Sequence, residues 1–324
     1  MTATAAASLA HWLAARRARI DRALHALLPA PPAAPTVLDA AMRYSLRAGG
    51  KRFRPLLTLA AAEAVLADEP VAESLALPAA CAIELIHTYS LIHDDLPAMD
   101  DDTLRRGHPT SHVVFGDGLA ILAGDGLLTE AFGVLAREPA TTDPAVVARK
   151  LRVVALVARA AGAAGMVGGQ AIDLQACDQV RDPVSTVPEL ADAYEIRPAL
   201  DASRLADMHA RKTGALIRAA AVCGAIMAGG SEAEIDAVDA YARELGLAFQ
   251  IVDDVLDVEG GTDLGKTVGK DAASGKPTYP SLFGLERSKA LAREATDRGL
   301  GALASAGLAG QLPAIARWVV ERSS

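Results

Sequence analysis

The sequence predicts an all-α protein folded as a single large helical bundle. Alanine and leucine dominate the 324 residues, and β-branched residues seldom alternate with polar ones as they do in strands. Apolar residues make up 51 % of the chain, which excludes a disordered protein. Many of the predicted helices are apolar around most of their circumference, so we expect them to be buried against several neighbours. No shift in composition marks a boundary, and we therefore expect residues 1–324 to form one domain.

Prolines and glycines set the boundaries of the predicted helices. The Pro-rich linker that closes residues 1–35 ends an N-terminal helix, and Gly49-Gly50 ends a second one. Pro97 ends a long helix over residues 72–96. The polar stretch over residues 178–202 contains three prolines and is predicted to be a loop insertion. Further helices are predicted over residues 118–137, 144–160, 163–175, 200–211, 213–228, 232–257, 278–298 and 311–322.

Charge and cysteine content exclude several classes of protein. The net charge of −8 argues against a general binder of nucleic acid or of anionic membranes, since both require a basic face. Three widely spaced cysteines argue against a disulfide framework and suit a reducing compartment, so we expect a cytoplasmic protein. The longest apolar stretch without a charge, residues 219–230, is shorter than the roughly 20 residues that a bilayer requires. We therefore expect no stable membrane insertion.

Two acidic clusters, each set in apolar helical sequence, are the strongest chemical signal. In the second, Asp253 and Asp257 are four residues apart and share a helix face, where like charges are destabilising unless a cation compensates. In the first, Asp94 and Asp100 are six residues apart, and we expect Pro97 to turn the chain so that they approach each other. A hard divalent cation, Mg²⁺ or as a substitute Mn²⁺, suits such oxygen ligands. The candidate metal ligands are Asp94, Asp95, Asp100, Asp253, Asp254 and Asp257.

Basic residues are concentrated beside glycine, proline or threonine at five predicted loop–helix junctions. Glycine-rich turns and helix N-termini supply backbone N–H groups for anions, and the added side-chain charges suit phosphate groups. An acidic protein that places its cations in this way is expected to bind phosphorylated ligands. The junctions carry Lys51 with Arg54, Arg105 with Arg106, Lys212 with Thr213, Lys266, and Lys276.

Residues 260–267 match the P-loop pattern G-x-x-x-x-G-K-[ST] but lack its structural context. A P-loop follows a buried strand and opens a helix. Here the preceding residues have acidic residues at helical spacing, and Gly269, Gly275 and Pro277 prevent the following ones from continuing as a helix. A P-loop NTPase is therefore kept only as an alternative.

With these motifs the chain resembles the trans-isoprenyl diphosphate synthases, most closely the bacterial farnesyl diphosphate synthases, from about residue 38 to its C-terminus. Two positions depart from the pattern: Thr103 stands where relatives usually carry Asp, and residues 178–202 form a longer stretch than in most relatives. The resemblance implies a helical bundle around a central cavity, the isoprenoid synthase type of fold, and a homodimer. The shared motifs are GGKRFRP at 49–55, LIHDDLPAMD at 91–100, LRRG at 104–107, GGQ at 168–170, KTGALI at 212–217, FQIVDDVLD at 249–257 and GKPTYP at 275–280.

The same resemblance implies Mg²⁺-dependent head-to-tail prenyl transfer. An allylic diphosphate, dimethylallyl and then geranyl, ionises, isopentenyl diphosphate attacks the cation, and loss of a proton gives mainly (2E,6E)-farnesyl diphosphate. The implied catalytic residues are Asp94, Asp100, Arg105, Lys212, Thr213, Gln250 and Asp253. The implied substrate-binding residues are Lys51, Arg54, His87 and Arg106 for isopentenyl diphosphate, Arg105, Lys212 and Lys266 for the allylic diphosphate, Lys276 near the metal-bound diphosphate, and Thr213 and Gln250 near the cation. Gln170 and Asp173 are interpreted as structural.

Tyr89 and Ser90 are the candidates for control of chain length. Tyr89 precedes Asp94 by five residues, so it lies roughly 7.5 Å deeper along a helix, and its ring is expected to form a floor at about fifteen carbons. Ser90 is small and leaves room above that floor. A geranylgeranyl diphosphate synthase of the same family remains an alternative, and a terpene cyclase is a less favoured one, because a cyclase binds one diphosphate and needs no second basic set.

Overall fold

A computed structural model of the chain describes residues 3–176, 187, 202–259 and 278–321. The all-α prediction is confirmed, since within those ranges the strands amount to one antiparallel hairpin, β1 (Leu104–Arg105) and β2 (His108–Pro109). Lys266, Lys276 and the P-loop-like residues 260–267 lie outside the described residues, as does almost all of the predicted insertion over residues 178–202.

The described part of the chain is a succession of helices. A π-helical turn, Ala210–Gly214, joins α9 to α10. The helices are α1 (Ala3–Leu27), α2 (Thr36–Arg47), α3 (Phe53–Val65), α4 (Glu69–Asp94), α5 (Ser111–Phe115), α6 (Asp117–Arg137), α7 (Pro144–Ala161), α8 (Met166–Ala176), α9 (Ala202–His209), α10 (Ala215–Met227), α11 (Glu232–Glu259), α12 (Tyr279–Phe283), α13 (Leu285–Ser305) and α14 (Leu312–Glu321).

Local sequence explains the bounds of α4, the helix that carries the first acidic cluster. The Asp68 carboxylate caps its N-terminus by accepting a 3.2 Å hydrogen bond from the Val71 N–H, and Pro70 lies in its first turn, where no N–H is needed. The helix ends at Asp94, three residues before Pro97. Its predicted end is therefore confirmed to within two residues.

The predicted helix over residues 278–298 is wrong as one element, because the chain breaks at Gly284. That glycine has φ +78°, which favours glycine, and it separates α12 from α13. The Thr278 hydroxyl accepts from the Ser281 N–H and the Ser281 hydroxyl accepts from the Thr278 N–H, so the new helix start is capped from both sides.

The core surrounds α4, which packs against α3, α6 and α10. One continuous cluster of buried apolar side chains runs from Leu9 on α1 to Val319 on α14. A smaller cluster lies behind the second acidic motif, where Ile251 and Val255 of α11 meet Tyr279. Because α4 is enclosed on several sides, its position and the orientation of its polar residues are set by packing.

Three helical stretches are long and apolar enough to cross a membrane, judged by length and composition alone: Glu69–Asp94, Asp117–Arg137 and Pro144–Ala176. These stretches are longer than the charge-free run over residues 219–230 because each contains an occasional charged residue. In Glu69–Asp94, 78 % of the apolar window is buried inside the protein, so packing accounts for its hydropathy. In the other two stretches that share is only 39 % and 33 %, and apolar side chains such as Leu122 and Leu151 are exposed.

Candidate active site

The chain reverses directly after α4 and brings the first acidic cluster together. The Asp100 N–H donates a 2.8 Å hydrogen bond to the Asp94 carbonyl, and the Met99 N–H donates to the Leu96 carbonyl at 2.9 Å. The expected approach of Asp100 to Asp94 around Pro97 is therefore confirmed. The negative charge of Asp100 contributes to raising the pKa of Asp94.

Asp94 is buried and is held by α8. Its Oδ1 accepts a 2.8 Å hydrogen bond from Gln170 Nε2, across 76 positions of sequence. Burial raises the pKa of Asp94 above its usual value, although Lys212 and the Gln170 hydrogen bond oppose the rise. A buried carboxylate with a raised pKa is a group that a bound cation would stabilise in its charged form.

Asp95 forms a two-pronged ion pair with Arg105 of the β1–β2 hairpin. Arg105 Nε lies 2.8 Å and Nη2 lies 2.6 Å from Asp95 Oδ1. Burial opposes the charge on Arg105, but Asp95 outweighs it and the pKa of Arg105 is raised. The predicted metal ligand Asp95 thus orients the predicted diphosphate-binding residue Arg105.

Lys212 lies in the π-helical turn and forms an ion pair with Asp173 of α8. Burial disfavours its charge, yet Asp173 and Asp94 outweigh this and raise the pKa of Lys212. Gly169 allows the close approach, since a Cβ at that position would lie 2.3 Å from the Lys212 backbone nitrogen. Thr213 follows Lys212 in the same half-buried turn, so α8 positions both Asp94 and Lys212.

A cleft between α2, α4 and the hairpin is lined by His87, Arg105 and Arg106. Arg106 has φ +54° at the tip of the hairpin, and its guanidinium donates to the Gly49 carbonyl. Arg54 Nε is buried and finds no hydrogen-bond partner among the described residues. Burial and the positive charge of Arg54 lower the pKa of His87 well below its usual value, so His87 is neutral near pH 7. Lys51 is exposed beside the Gly49-Gly50 turn.

The second acidic motif lies near the C-terminal end of α11. Asp253 is half-buried and Asp257 is exposed, while Asp254 is buried on another side of the helix. Asp254 accepts hydrogen bonds from Gln250 Nε2 and from the Tyr279 N–H, both at 2.9 Å. Protein donors thus occupy both oxygens of Asp254, which anchors the start of α12. Asp253 is close enough to Arg54 to favour the charge of that guanidinium.

Tyr89 and Ser90 lie on different sides of α4. At about 100° per residue, Ser90 is about 40° around the helix from Asp94, and Tyr89 is about 140° around it. The Tyr89 ring meets the His93 ring edge-on at 5.6 Å, and His93 Nε2 is 3.1 Å from the Ile121 carbonyl oxygen of α6. Burial raises the pKa of Tyr89 to about 12. Ser90, whose hydroxyl donates to the His87 carbonyl, is therefore the small residue on the side of Asp94.

The donor set suits a hard divalent cation. Asp94, Asp100 and Asp253 offer carboxylate oxygens and no soft ligand, which is the chemistry that Mg²⁺ prefers. Within the described ranges, no three His, Cys, Asp or Glu side chains stand close enough together to hold a metal ion by themselves. Such an ion would therefore need diphosphate oxygens or water among its ligands, as is common for Mg²⁺.

Sequence reasoning missed the contribution of α8 and of one residue in α4. Gln170 and Asp173, which the sequence predicts to be structural, contact Asp94 and Lys212 directly and so help to position them. The Gly168-Gly169 pair just before Gln170 was a usable signal, because paired glycines inside a helix often permit close backbone approach. The sequence gives no signal for Glu84, buried at the cleft between α2, α4 and the hairpin, beyond its apolar surroundings.

Comparison with known proteins places this site in a family. The family model for polyprenyl synthetases matches residues 35–302. The chain belongs to the polyprenyl synthetase family. This family membership confirms the predicted fold and the predicted enzyme class, a transferase of the trans-isoprenyl diphosphate synthase family.

Several relatives of this polyprenyl synthetase are similar over most of its length. Geranylgeranyl pyrophosphate synthase 11, chloroplastic, of Arabidopsis thaliana is 49 % identical over 280 residues, covering 82 % of this chain and 70 % of the relative. A chloroplastic geranylfarnesyl diphosphate synthase of Leucosceptrum canum is 44 % identical over 287 residues, covering 87 % and 72 %. The crystal structure of an FPP/GFPP synthase from Zymomonas mobilis superposes with a TM-score of 0.77 at 36 % identity, covering 98 % of both chains. The relatives are named mainly as geranylgeranyl synthases, so they do not single out the farnesyl type.

Proposed function

We propose that the protein condenses isopentenyl diphosphate with allylic diphosphates, and that its main product is the C20 geranylgeranyl diphosphate. The observation that carries the proposal is that more cationic groups gather beside α4 than one diphosphate requires. Lys212 interacts with Asp94, while His87 and Arg106 line the cleft and Arg54 is close enough to affect the charge of His87. Arg105, paired with Asp95, also lines that cleft. Condensation of two diphosphates requires two groups of cationic residues, whereas a terpene cyclase requires one.

The first group suits the allylic diphosphate, which leaves as an anion. Lys212 and Arg105 carry positive charge that neighbouring carboxylates stabilise, so both stay protonated at neutral pH. When bound, Mg²⁺ held by Asp94, Asp100 and Asp253 would supply further neutralisation of the departing diphosphate. Thr213 offers an uncharged oxygen beside the developing cation, and the site must exclude water that would trap that cation.

The second group suits isopentenyl diphosphate, which keeps its diphosphate throughout. Arg54 and Arg106 are permanently charged, and neutral His87 can donate one hydrogen bond without adding charge. Lys51, exposed on the adjoining turn, completes the set. Lys51→Ala and Arg54→Ala should therefore raise the KM for isopentenyl diphosphate more than the KM for the allylic substrate.

Two observations support a C20 rather than a C15 product. The curated relatives at 44–49 % identity carry the names of geranylgeranyl or geranylfarnesyl synthases. On the side of α4 that carries Asp94, the next residue inward is the small Ser90, and the bulky Tyr89 ring lies on the side of α6 instead. A growing chain that follows the side of Asp94 would pass Ser90 without meeting that ring.

Farnesyl diphosphate is the second candidate product. The buried Tyr89 ring is the specific observation that favours it, since a rigid ring at that depth can stop elongation. A structural neighbour of 34 % identity is titled a putative farnesyl-diphosphate synthase from Marinomonas.

Mass analysis of the products decides between these outcomes. The full chain is incubated with Mg²⁺, isopentenyl diphosphate and dimethylallyl, geranyl or farnesyl diphosphate. Conversion of farnesyl diphosphate to a C20 product supports the proposal. A C15 end point with geranyl diphosphate supports the farnesyl alternative, and a cyclic hydrocarbon without consumption of isopentenyl diphosphate would contradict both.

We further propose that the protein acts as a homodimer through α5 and α6. Val113 and Val114 are 50 % and 45 % exposed, and on α6 Ile121 and Leu122 are 43 % and 57 % exposed. A relative at 46 % identity is named as the large subunit of a heterodimeric synthase. Leu122→Asp should convert the dimer to a monomer in analytical ultracentrifugation. Val37→Asp, at an equally exposed position on α2, is the matched control.

A further inference from the structure

Glu84 is an acid placed where the proposed function needs positive charge. It lies on α4 one turn before His87, its exposure is 3 %, and it lines the same cleft as Arg106. A carboxylate in this position repels an incoming diphosphate. It therefore weakens the binding that the surrounding arginines provide, and its presence calls for a reason other than substrate contact.

The contacts of Glu84 are made through Arg52. Glu84 Oε1 accepts a 2.9 Å hydrogen bond from Arg52 Nη1, and Arg52 Nε donates to Asp21 Oδ1 at 2.8 Å. Arg52 Nη2 also donates to the Leu46 carbonyl at 2.6 Å. Arg52 has φ +50° as the residue that precedes α3, so this guanidinium ties α1, α2 and α4 to the turn that carries Lys51.

Two further arginines depend on the same carboxylate. Arg54 and Arg106 form no ion pair within the described part of the chain, and burial lowers the pKa of each. In both cases Glu84 is the leading negative charge that opposes this lowering. One buried carboxylate thus offsets the mutual repulsion of three guanidinium groups when the cleft holds no anion.

We propose that Glu84 is a resident counter-ion that limits the affinity of this cleft for diphosphate while it holds Arg52, Arg54 and Arg106 together. This rests on the proposed function, in which the cleft binds isopentenyl diphosphate. Glu84 acts through the arginines and is a positioning residue. Its removal should have two opposite effects: a less stable empty protein and a tighter complex with the anion.

The test is Glu84→Gln, which keeps the side-chain size and an oxygen for Arg52 but removes the charge. We expect the KM and the calorimetric Kd for isopentenyl diphosphate to fall by about three- to tenfold, because one negative charge leaves a partly desolvated cluster. The KM for the allylic substrate should change less than twofold, and the melting temperature should fall. A purely structural role would instead raise the KM for isopentenyl diphosphate.

Matched variants distinguish a specific role of Glu84 from a general loss of stability and from failure of the proposed function. Glu63→Gln removes another largely buried acid, paired with Arg16 and Trp12 away from the cleft, and should lower the melting temperature without tightening isopentenyl diphosphate. If Glu84→Gln does not fold, Asp21→Asn removes the outer acid of Arg52, which is 43 % exposed, and should tighten binding about twofold. Unchanged or weaker binding in the folded variant overturns the role of Glu84. Absence of isopentenyl diphosphate binding in the unaltered protein overturns the proposed function itself.

Discussion

The backbone N–H of Asp100 donates a 2.8 Å hydrogen bond to the carbonyl of Asp94, the last residue of α4. This bond closes the turn around Pro97 and returns the outer carboxylate of the motif to the end of the helix. Lys212 experiences the charge of both carboxylates. Two carboxylates and the Lys212 ammonium, which come from separate segments, thus lie close enough to interact, an arrangement that suits a diphosphate with its cation.

Removing a carboxylate from either of the two acidic motifs, on α4 or on α11, should strongly lower turnover. We expect Asp94→Ala and Asp253→Ala each to lower kcat by about a hundredfold or more, because the leaving diphosphate loses its charge neutralisation. Asp102→Ala should change kcat less than threefold, since the charge of Asp102 acts on Asp95 and Arg105 rather than on Asp94. Steady-state kinetics with saturating Mg²⁺ measure this, and equal losses in all three variants would contradict the assignment.

The features that could be predicted from the sequence are the local ones. Pro97 and the glycines mark helix ends because they act on the backbone within a few residues, and the turn from Asp94 to Asp100 is short enough to follow from the same reasoning. The i, i+4 spacing correctly places Asp253 and Asp257 on a common side of α11. The family resemblance adds roles to these residues that no spacing rule supplies.

The features that could not be predicted depend on distant segments. Gln170 contacts Asp94 across 76 positions of sequence, and Asp173 contacts Lys212 across 39, so no local pattern predicts either pair. Asp254 looks like a metal ligand in sequence, but the Tyr279 N–H, 25 positions away, occupies one of its oxygens. The two-residue strands of the hairpin are too short to show any periodicity.

In the absence of metal, the buried charge of Asp94 should make the protein less stable than a variant that lacks this charge. Asp94→Asn retains an oxygen for Gln170 and removes a charge that burial disfavours, so we expect its melting temperature without metal to rise by about 2–4 °C at pH 7.5. Differential scanning calorimetry in the presence of a chelator measures this.

The pH dependence of that gain follows from the raised pKa of Asp94. Because the folded-state pKa exceeds the unfolded one, the cost of the buried charge is absent below the unfolded pKa and is fully present above the folded pKa. The gain from Asp94→Asn should therefore shrink as the pH is lowered towards about 4. Asp254→Asn is the matched control: it replaces an acceptor of two hydrogen bonds and should lower the melting temperature.

Asp173 should control binding of the allylic substrate through Lys212. In Asp173→Asn the ion pair that positions the Lys212 ammonium is lost, and we expect the KM for geranyl diphosphate to rise about tenfold while that for isopentenyl diphosphate changes little. The control is Asp207→Asn, which breaks the exposed ion pair between Asp207 of α9 and Arg211. We expect it to leave both KM values unchanged, because exposed ion pairs contribute little. A larger change in the KM for isopentenyl diphosphate would show that Lys212 serves the other substrate.

Tyr89→Ala tests whether the buried ring limits chain length. Removal of the ring opens space next to His93 on the side of α6. Because the proposed path follows Asp94 and Ser90 instead, we expect the main product to stay unchanged, whereas growth by at least one five-carbon unit would show that the chain reaches that space. The products from isopentenyl and geranyl diphosphate are identified by mass. An active variant with an unchanged product would show that Tyr89 is an ordinary core residue.

Ser90→Phe tests the other side of the helix and decides which path the chain follows. Ser90 is four residues before Asp94, so its side chain lies about 6 Å deeper and only about 40° around α4. A phenyl ring there would close the space along the side of Asp94, and we expect the main product to shorten to C15 or C10 with the Mg²⁺ dependence of kcat retained. The His87 ring remains available as a hydrogen-bond donor, because the Ser90 hydroxyl donates to the backbone carbonyl of His87 and not to its ring. Shortening by Ser90→Phe together with no effect of Tyr89→Ala places the growing chain on the side of Asp94. The reverse result places it on the side of α6, and the ring of Tyr89 then sets the length.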